Sequence, residues 1–576
     1  MMETTVEADA REELANRRLL QLALGGGRSS SYATDAAHRD RQRLSVPMAP
    51  VYGLLDRMTA PRGVSRRLHL LGPALPGLAL FAVSILLAAD SYHDYGMSWD
   101  EPAQHALGMV TYNYVTHGDP ALYTYVDRAL GTGFELPLYA MERWLHLEDP
   151  SDLYPARHLA THVYFLVAVL CGYMLAWRLF HDHFLACLAF VLIAFHPRLY
   201  AHSFFNTKDI PFLSAVLVAL LICHIAFETN KSSWHFLLGA AFGYAASIRL
   251  FGIVPAAIVF GFLVLDIHQR RALRTIRQPV FNATLYAVGF ASILYIAWPL
   301  LWNHPIVHLA ESLRTLAHIQ WTGQVLFDGV SYRGDELPWT YAPAWCLISI
   351  PELWLLAGGL GCAWIGVALA RRPLKCLMQT PERHYALYML CFLCPLVIAS
   401  VTHGADIDDW RHLYFIFPSF VMLALLGMRK LLHGRTRRIA QALCVAQVAA
   451  TGWFIIQYHP YEYVYFNHLV SHAQESLRQR YDLEYWGVSY KRGLEYILAH
   501  DDAGVIVVRA TFETPVRNNI MLLPAAVRSR IAVVGEDAPA DYFMTNFRMH
   551  PGEFDYPIYY EIKVLGSTIL RVYKLH

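Results

Sequence analysis

The amino-acid sequence predicts a polytopic α-helical membrane protein that ends in a small α/β soluble domain. Three observations carry this reading. Of 576 residues, 55% are hydrophobic and 16% charged, more apolar surface than one soluble core takes in. Apolar runs near the roughly 20 residues that cross a hydrocarbon core recur from residue 70 to residue 457. After Tyr458 these runs stop, and short alternating segments with turn residues between them take over.

Residues 1–69 are rich in Arg and Ser, carry GGGRSSS, and lack any period long enough to pack, which predicts a disordered tail. The first apolar run starts near Leu70, too far along for a secretory signal, so it is expected to remain as an anchor. By length and hydropathy about eleven spans follow: 70–89, 158–179, 184–196, 210–227, 234–247, 250–267, 283–301, 343–370, 386–402, 411–428 and 438–457. The third and fifth are short, as half-spans or embedded helices would be. Between the first two spans lies a long loop, 90–157, whose amphipathic stretches 101–115 and 134–147 suit helices on a membrane surface. In 458–576, residues 489–500 suit a helix. VIVVRATF from 505, IAVV from 531 and the final EIKVLGSTILRVYKL suit strands, the last with a Gly-Ser turn.

Orientation follows from the short loops. With the tail and its Arg62, Arg66 and Arg67 inside, the alternate loops must also be inside, and these carry Arg178, Lys231, Arg270 to Arg277, Arg371 to Arg383 and Arg429 to Arg438. The opposite loops, 90–157, 197–209, 302–342 and HGADIDDW at 403–410, are long or acidic. The expectation is a multi-pass protein of a bacterial inner membrane, with a cytoplasmic N-terminus and a periplasmic C-terminal segment.

Other classes recede on composition. A net charge of +1 provides no field for nucleic acid. The nine cysteines lie in or beside apolar runs, and the CxxC of Cys391 and Cys394 sits inside a span, which argues against a redox or metal role.

The ionisable residues gather at one membrane face rather than at mid-span, a pattern that suits interfacial chemistry. Asp94 precedes GMSWDEPAQHA, where Asp100 and Glu101 stand side by side. Such a pair serves as a general base and its support, or equally opens a helix with Asp100 as its cap. In HPRLYAHSFFNTKDIP, 196–211, Arg198 and Lys208 suit a phosphate at headgroup level, with Asp209 at a helix start, and equally suit snorkelling cations beside a cap. Arg249 lies between two apolar runs, and Arg411 follows Asp406, Asp408 and Asp409. A cation there needs a lipid phosphate or an acidic side chain as partner. Trp298, Trp302, Trp321, Trp339 and Trp345 read most simply as interfacial belt aromatics, with stacking of one or two on a sugar as the alternative.

Together with WPLLWNHP at 298–305, LPWTYAPAW at 337–345, RHLYFIFP at 411–418, HPYEYVYFN at 459–467 and YDLEYWGVSY at 481–490, these motifs resemble the GT-C superfamily. Within it they are most similar to bacterial relatives of glycosyltransferase family 39, the protein O-mannosyltransferases, and of the aminoarabinose transferases. The resemblance runs from the first span to residue 490 and implies a GT-C fold. It also implies inverting transfer of a sugar from a polyprenyl-phosphate carrier to a glycan, lipid or protein acceptor. By that resemblance Asp100 is the base and Glu101 orients it or the acceptor. Arg198, Lys208, Arg249 and Arg411 meet the phosphate, and Asp209, His202 and Asn206 support them. Relatives in the superfamily differ in metal need; since no ligand set appears beyond Asp406, Asp408 and Asp409, no required metal is expected here. A flippase for a lipid-linked saccharide is the rival reading, though the two related halves common in transporters are not evident.

Overall fold

The computed structural model describes residues 72–575 apart from 273–274, 318–322, 403–406 and 433–435. The predicted tail, Asp406 and Trp321 therefore lie outside the described residues. Among these residues nine helices are long and apolar enough to cross a membrane, and a bent pair, His183–Ala194 and Pro197–Phe205, makes a tenth if counted as one span.

The polytopic class stands, and the count of eleven is corrected for local reasons. The run 184–196 ends as a helix at Ala194. His196 is extended because it precedes Pro197, and the chain restarts at a 57° bend. The run 234–247 forms Ser232–Ile248, only 17 residues long. It compensates by close packing: Gly239 and Gly243 face the carbonyls of Tyr286 and Phe290 on helix Arg277–Ala297, and Gly289 returns the contact to Phe236. A methyl at any of the three would collide with backbone, so small residues four apart set this interface. The predicted span 343–370 is two helices, Tyr341–Ser349 and Glu352–Arg371, parted at Pro351, which lacks the N–H to continue the first.

The helix pair expected in the first loop is present as Glu101–His117 and Glu135–Leu145. Buried Arg157 ties the second to its neighbours by pairing with both Glu135 and Glu142. Residues 302–342, expected as a loop, contain a hairpin, β1 (Gln324–Phe327) with β2 (Val330–Arg333).

Beyond Tyr490–His500, the C-terminal segment forms a five-stranded mixed sheet of order β4-β3-β5-β7-β6. Its strands are β3 (Ile506–Ala510), β4 (Ile531–Val534), β5 (Tyr542–Thr545), β6 (Ile558–Val564) and β7 (Ser567–Lys574). The expected closing hairpin is β6-β7, while β5 and helix Glu513–Met521 were not anticipated. Leu494, Ile497, Val508, Met544 and Val572 build an apolar core here, separate from that of the helices.

Candidate active site

Asp100 sits at the N-cap of Glu101–His117, yet its side chain makes no capping bond, because the residue is already in the helical region at φ −84°. The carboxylate turns outward from the helix instead, and Arg411 Nη1 donates to its Oδ2 at 3.3 Å. The same guanidinium lies 3.6 Å from Asp209 Oδ2 and 3.3 Å from Asp408 Oδ2. It also rests over the Trp486 ring, 4.6 Å from its centre. Arg411 is thus the hub of three carboxylates that come from three distant parts of the chain.

Each carboxylate has its own supports. Asn206 donates to Asp209 Oδ2 at 2.9 Å while its Oδ1 accepts the backbone N–H groups of Lys208 and Asp209, which fixes the start of helix Asp209–Thr229. Arg249, in extended backbone after Ile248, pairs with the other oxygen of Asp209. Asp408 receives Arg548 Nη2 at 2.8 Å, and Arg548 also donates to the Tyr485 carbonyl and covers Trp99. Asp408 and its neighbour Asp409 both have positive φ, 60° and 68°, an uncommon backbone for a residue with a Cβ. That turn aims the two side chains apart: Asp409 Oδ2 accepts from Arg198, Tyr414 and Tyr485.

Lys208 differs from the arginines. Among the described residues its ammonium has no ion-pair partner, and it is half-buried, with the charges of Arg249, Asp100, Asp209 and Arg411 acting on it. Burial, then the nearby Arg249 charge, push its pKa down to about 8. Burial acts on Asp100 in the opposite sense, but Arg411, Lys208 and Arg548 outweigh it and hold that carboxyl below its ordinary range, so it is ionised at neutral pH. The Asp100 side chain is 40% exposed, against 1% for Asp209 and 7% for Asp408, so among these three it is the one open to an incoming molecule.

Several sequence expectations are redirected. Glu101, expected to orient acceptor or base, is buried and faces away: its Oε2 accepts Ser98 N–H at 2.7 Å, and its Oε1 lies 2.8 Å from His158 Nε2. Arg198, expected at a phosphate, is 1% exposed and held by Asp409, the Tyr465 carbonyl and the rings of Trp345 and Phe466. His202 is buried against Asn206, Tyr485 and Trp486, and Trp345 lies in the core rather than in an interfacial belt. The capping alternative for Asp100 is not what the helix uses. Arg548 and Trp486 were missed as parts of the cluster. Trp486 stands inside YDLEYWGVSY, but Arg548 stands in an irregular stretch after β5 where no periodicity or spacing marks it.

Residues 155–302 match the family model of dolichyl-phosphate-mannose-protein mannosyltransferase. That stretch contains HPRLYAHSFFNTKDIP and WPLLW, and the match bears out the resemblance to GT-C membrane glycosyltransferases. No curated protein matches. Among solved structures, ArnT from Cupriavidus metallidurans bound to undecaprenyl phosphate is 12% identical and covers 87% of this chain and 98% of its own, with a TM-score of 0.44. Its apo state is 11% identical, covering 88% and 98%, with a TM-score of 0.46. The apo oligosaccharyltransferase of Archaeoglobus fulgidus is 10% identical, covering 81% of this chain and 65% of its own, with a TM-score of 0.46.

Proposed function

We propose that this GT-C membrane glycosyltransferase moves a sugar from a polyprenyl-phosphate donor to an acceptor hydroxyl or amine on the non-cytoplasmic face, with inversion. The acceptor is a lipid-linked glycan, an envelope lipid or a protein. The observation that carries this reading is one open, ionised carboxylate, Asp100, in the same cluster as an ammonium, Lys208, that has no ion-pair partner among the described residues, while the remaining charges hold each other in place.

Asp100 takes the acceptor's proton as the acceptor attacks the anomeric carbon. The bond to the phosphate oxygen breaks, and polyprenyl phosphate leaves with that electron pair. Lys208 meets the charge that develops on the phosphate, assisted by Arg249 and Arg411, because preplaced cations stabilise a leaving anion without reorganising. In the free protein those cations make Asp100 a weak base. A bound phosphate offsets part of their charge and raises the basicity of Asp100 when the donor is in place. Asp408 is engaged by Arg411 and Arg548 and Asp409 by Arg198, which supports a transfer that uses no metal held by these two carboxylates.

The test is transfer itself. The purified protein in lipid nanodiscs is incubated with radiolabelled polyprenyl-phosphate sugars and membrane extract. Label is expected to move to an extract component while unlabelled polyprenyl phosphate accumulates. Label that remains on every donor offered overturns the reading.

A further inference from the structure

We propose that Asn519, on helix Glu513–Met521 of the C-terminal segment, is a positioning residue that holds the catalytic base in place. The inference rests on the function proposed above and extends it to a part of the chain outside the motifs that suggested that function.

Residues 96–99, which deliver Asp100, belong to no helix or sheet, so their backbone groups depend on partners from elsewhere. The fully buried Asn519 side chain supplies them. Its Oδ1 accepts Met97 N–H at 2.9 Å, and its Nδ2 donates to the Met97 carbonyl at 3.1 Å, as a neighbouring strand would. The same Nδ2 reaches the carbonyls of Gly487 and Pro515, both at 2.8 Å. Asn518 donates to the Ser98 carbonyl at 3.2 Å, and Trp99 N–H donates to the Trp486 carbonyl at 2.8 Å. Gly96 permits this approach, since a Cβ there would strike Asn519 Oδ1 and the Val488 carbonyl. One amide therefore joins the segment before the base to the segment that carries Trp486, the ring under Arg411. The distance from Asp100 to Arg411, and with it the approach to Lys208, depends on that junction.

The experiment compares Asn519→Ala, Asn518→Ala and, as a control on the same helix, Arg517→Ala, whose side chain is 56% exposed. Each full-length variant is measured for kcat, donor affinity, pH profile, melting temperature and amide exchange over residues 96–101. Misplacing a catalytic group by about 1 Å costs about a hundredfold, so Asn519→Ala is expected to lose about that in kcat while donor Kd stays within about twofold. Asn518→Ala should lose a few-fold and Arg517→Ala nothing. The acid limb of kcat should move to higher pH in Asn519→Ala, because a base farther from Arg411 titrates closer to its ordinary range.

A kcat within twofold of wild type in Asn519→Ala overturns the proposal. So does an Asn519→Ala variant that folds but loses kcat, donor binding and melting temperature together, which is what a purely structural role produces. Should Asn519→Ala not fold, unchanged kcat and unchanged exchange at residues 97–99 in Asn518→Ala also overturn it. A wild-type protein that transfers no sugar refutes the functional reading, a failure seen before any variant is compared.

Discussion

Replacing Asp100 by Asn separates the chemistry of this residue from its place in the fold. The substitution keeps the side-chain shape and removes one negative charge. The helix does not use the Asp100 side chain as a cap, so the roughly 1 kcal/mol that a cap contributes is not at stake. The ion pair with Arg411 is half open to solvent on the Asp100 side and is worth little after screening, and Arg411 keeps Asp209 and Asp408. The fold should therefore be unchanged. Donor binding should be unchanged or tighter: among the described residues, Lys208, Arg249, Arg411 and Arg548 face Asp100, Asp209 and Asp408, and deleting one of these carboxylates leaves the cluster more positive towards a phosphate. Turnover should fall by about a hundred- to ten-thousandfold, the contribution of a general base, equivalent to about 2.7–5.5 kcal/mol in the barrier. Single-turnover transfer from a radiolabelled donor measures the chemistry, and a donor filter-binding assay measures affinity. Turnover within a few-fold of wild type refutes the assignment of the base. Loss of donor binding in step with turnover refutes the charge argument.

The pKa of about 8 at Lys208 makes donor affinity pH-dependent: the folded value lies below that of an ordinary lysine, so the charge is present below pH 8 and lost above it, and Kd measured across pH 6–10 should rise through that point. Lys208→Arg, which stays charged, should flatten the rise, and Lys208→Met should weaken binding at low pH by about 1.5–3 kcal/mol, the size of a charge-assisted contact. A reporter active only outside the cytoplasm should work when fused after His576 and fail after Gln278, and the opposite result at either site overturns the orientation. Gly243→Val should lower the melting temperature in detergent by the equivalent of about 1–3 kcal/mol, because the new side chain meets the Phe290 carbonyl of the neighbouring helix, while donor affinity in the surviving folded protein stays the same.

The helices were legible in the sequence because each is a local property. Twenty apolar residues make a span whatever surrounds them, and Pro197 and Pro351 mark breaks that a window average smooths over. The helix at 490–500, the strands at 506 and 531 and the closing hairpin from Glu561 were legible for the same reason, through period and turn residues. β5 was not, since YFMT is four residues buried on both sides and shows no alternation.

Asp100, Lys208, Arg249 and Arg411 could be named from residue type and flanking pattern, but sequence could not assign their partners. Arg411 reaches Asp100 across 311 positions and Arg548 reaches Asp408 across 140, and no local rule spans such separations. Arg198 and Lys208 looked equivalent within one motif. The fold parts them, because Arg198 lies on a helix turned into the core against Asp409, while Lys208 stands at the turn before the next helix with its ammonium unpaired among the described residues. By itself the sequence determined that this chain crosses a membrane many times and which residues bring charge to one of its faces, because desolvation restricts where charges can lie along each span. Only the tertiary structure decided which of those charges neutralise each other and which stay open, because a guanidinium or carboxylate is committed by the neighbour that packing places within about 3 Å of it.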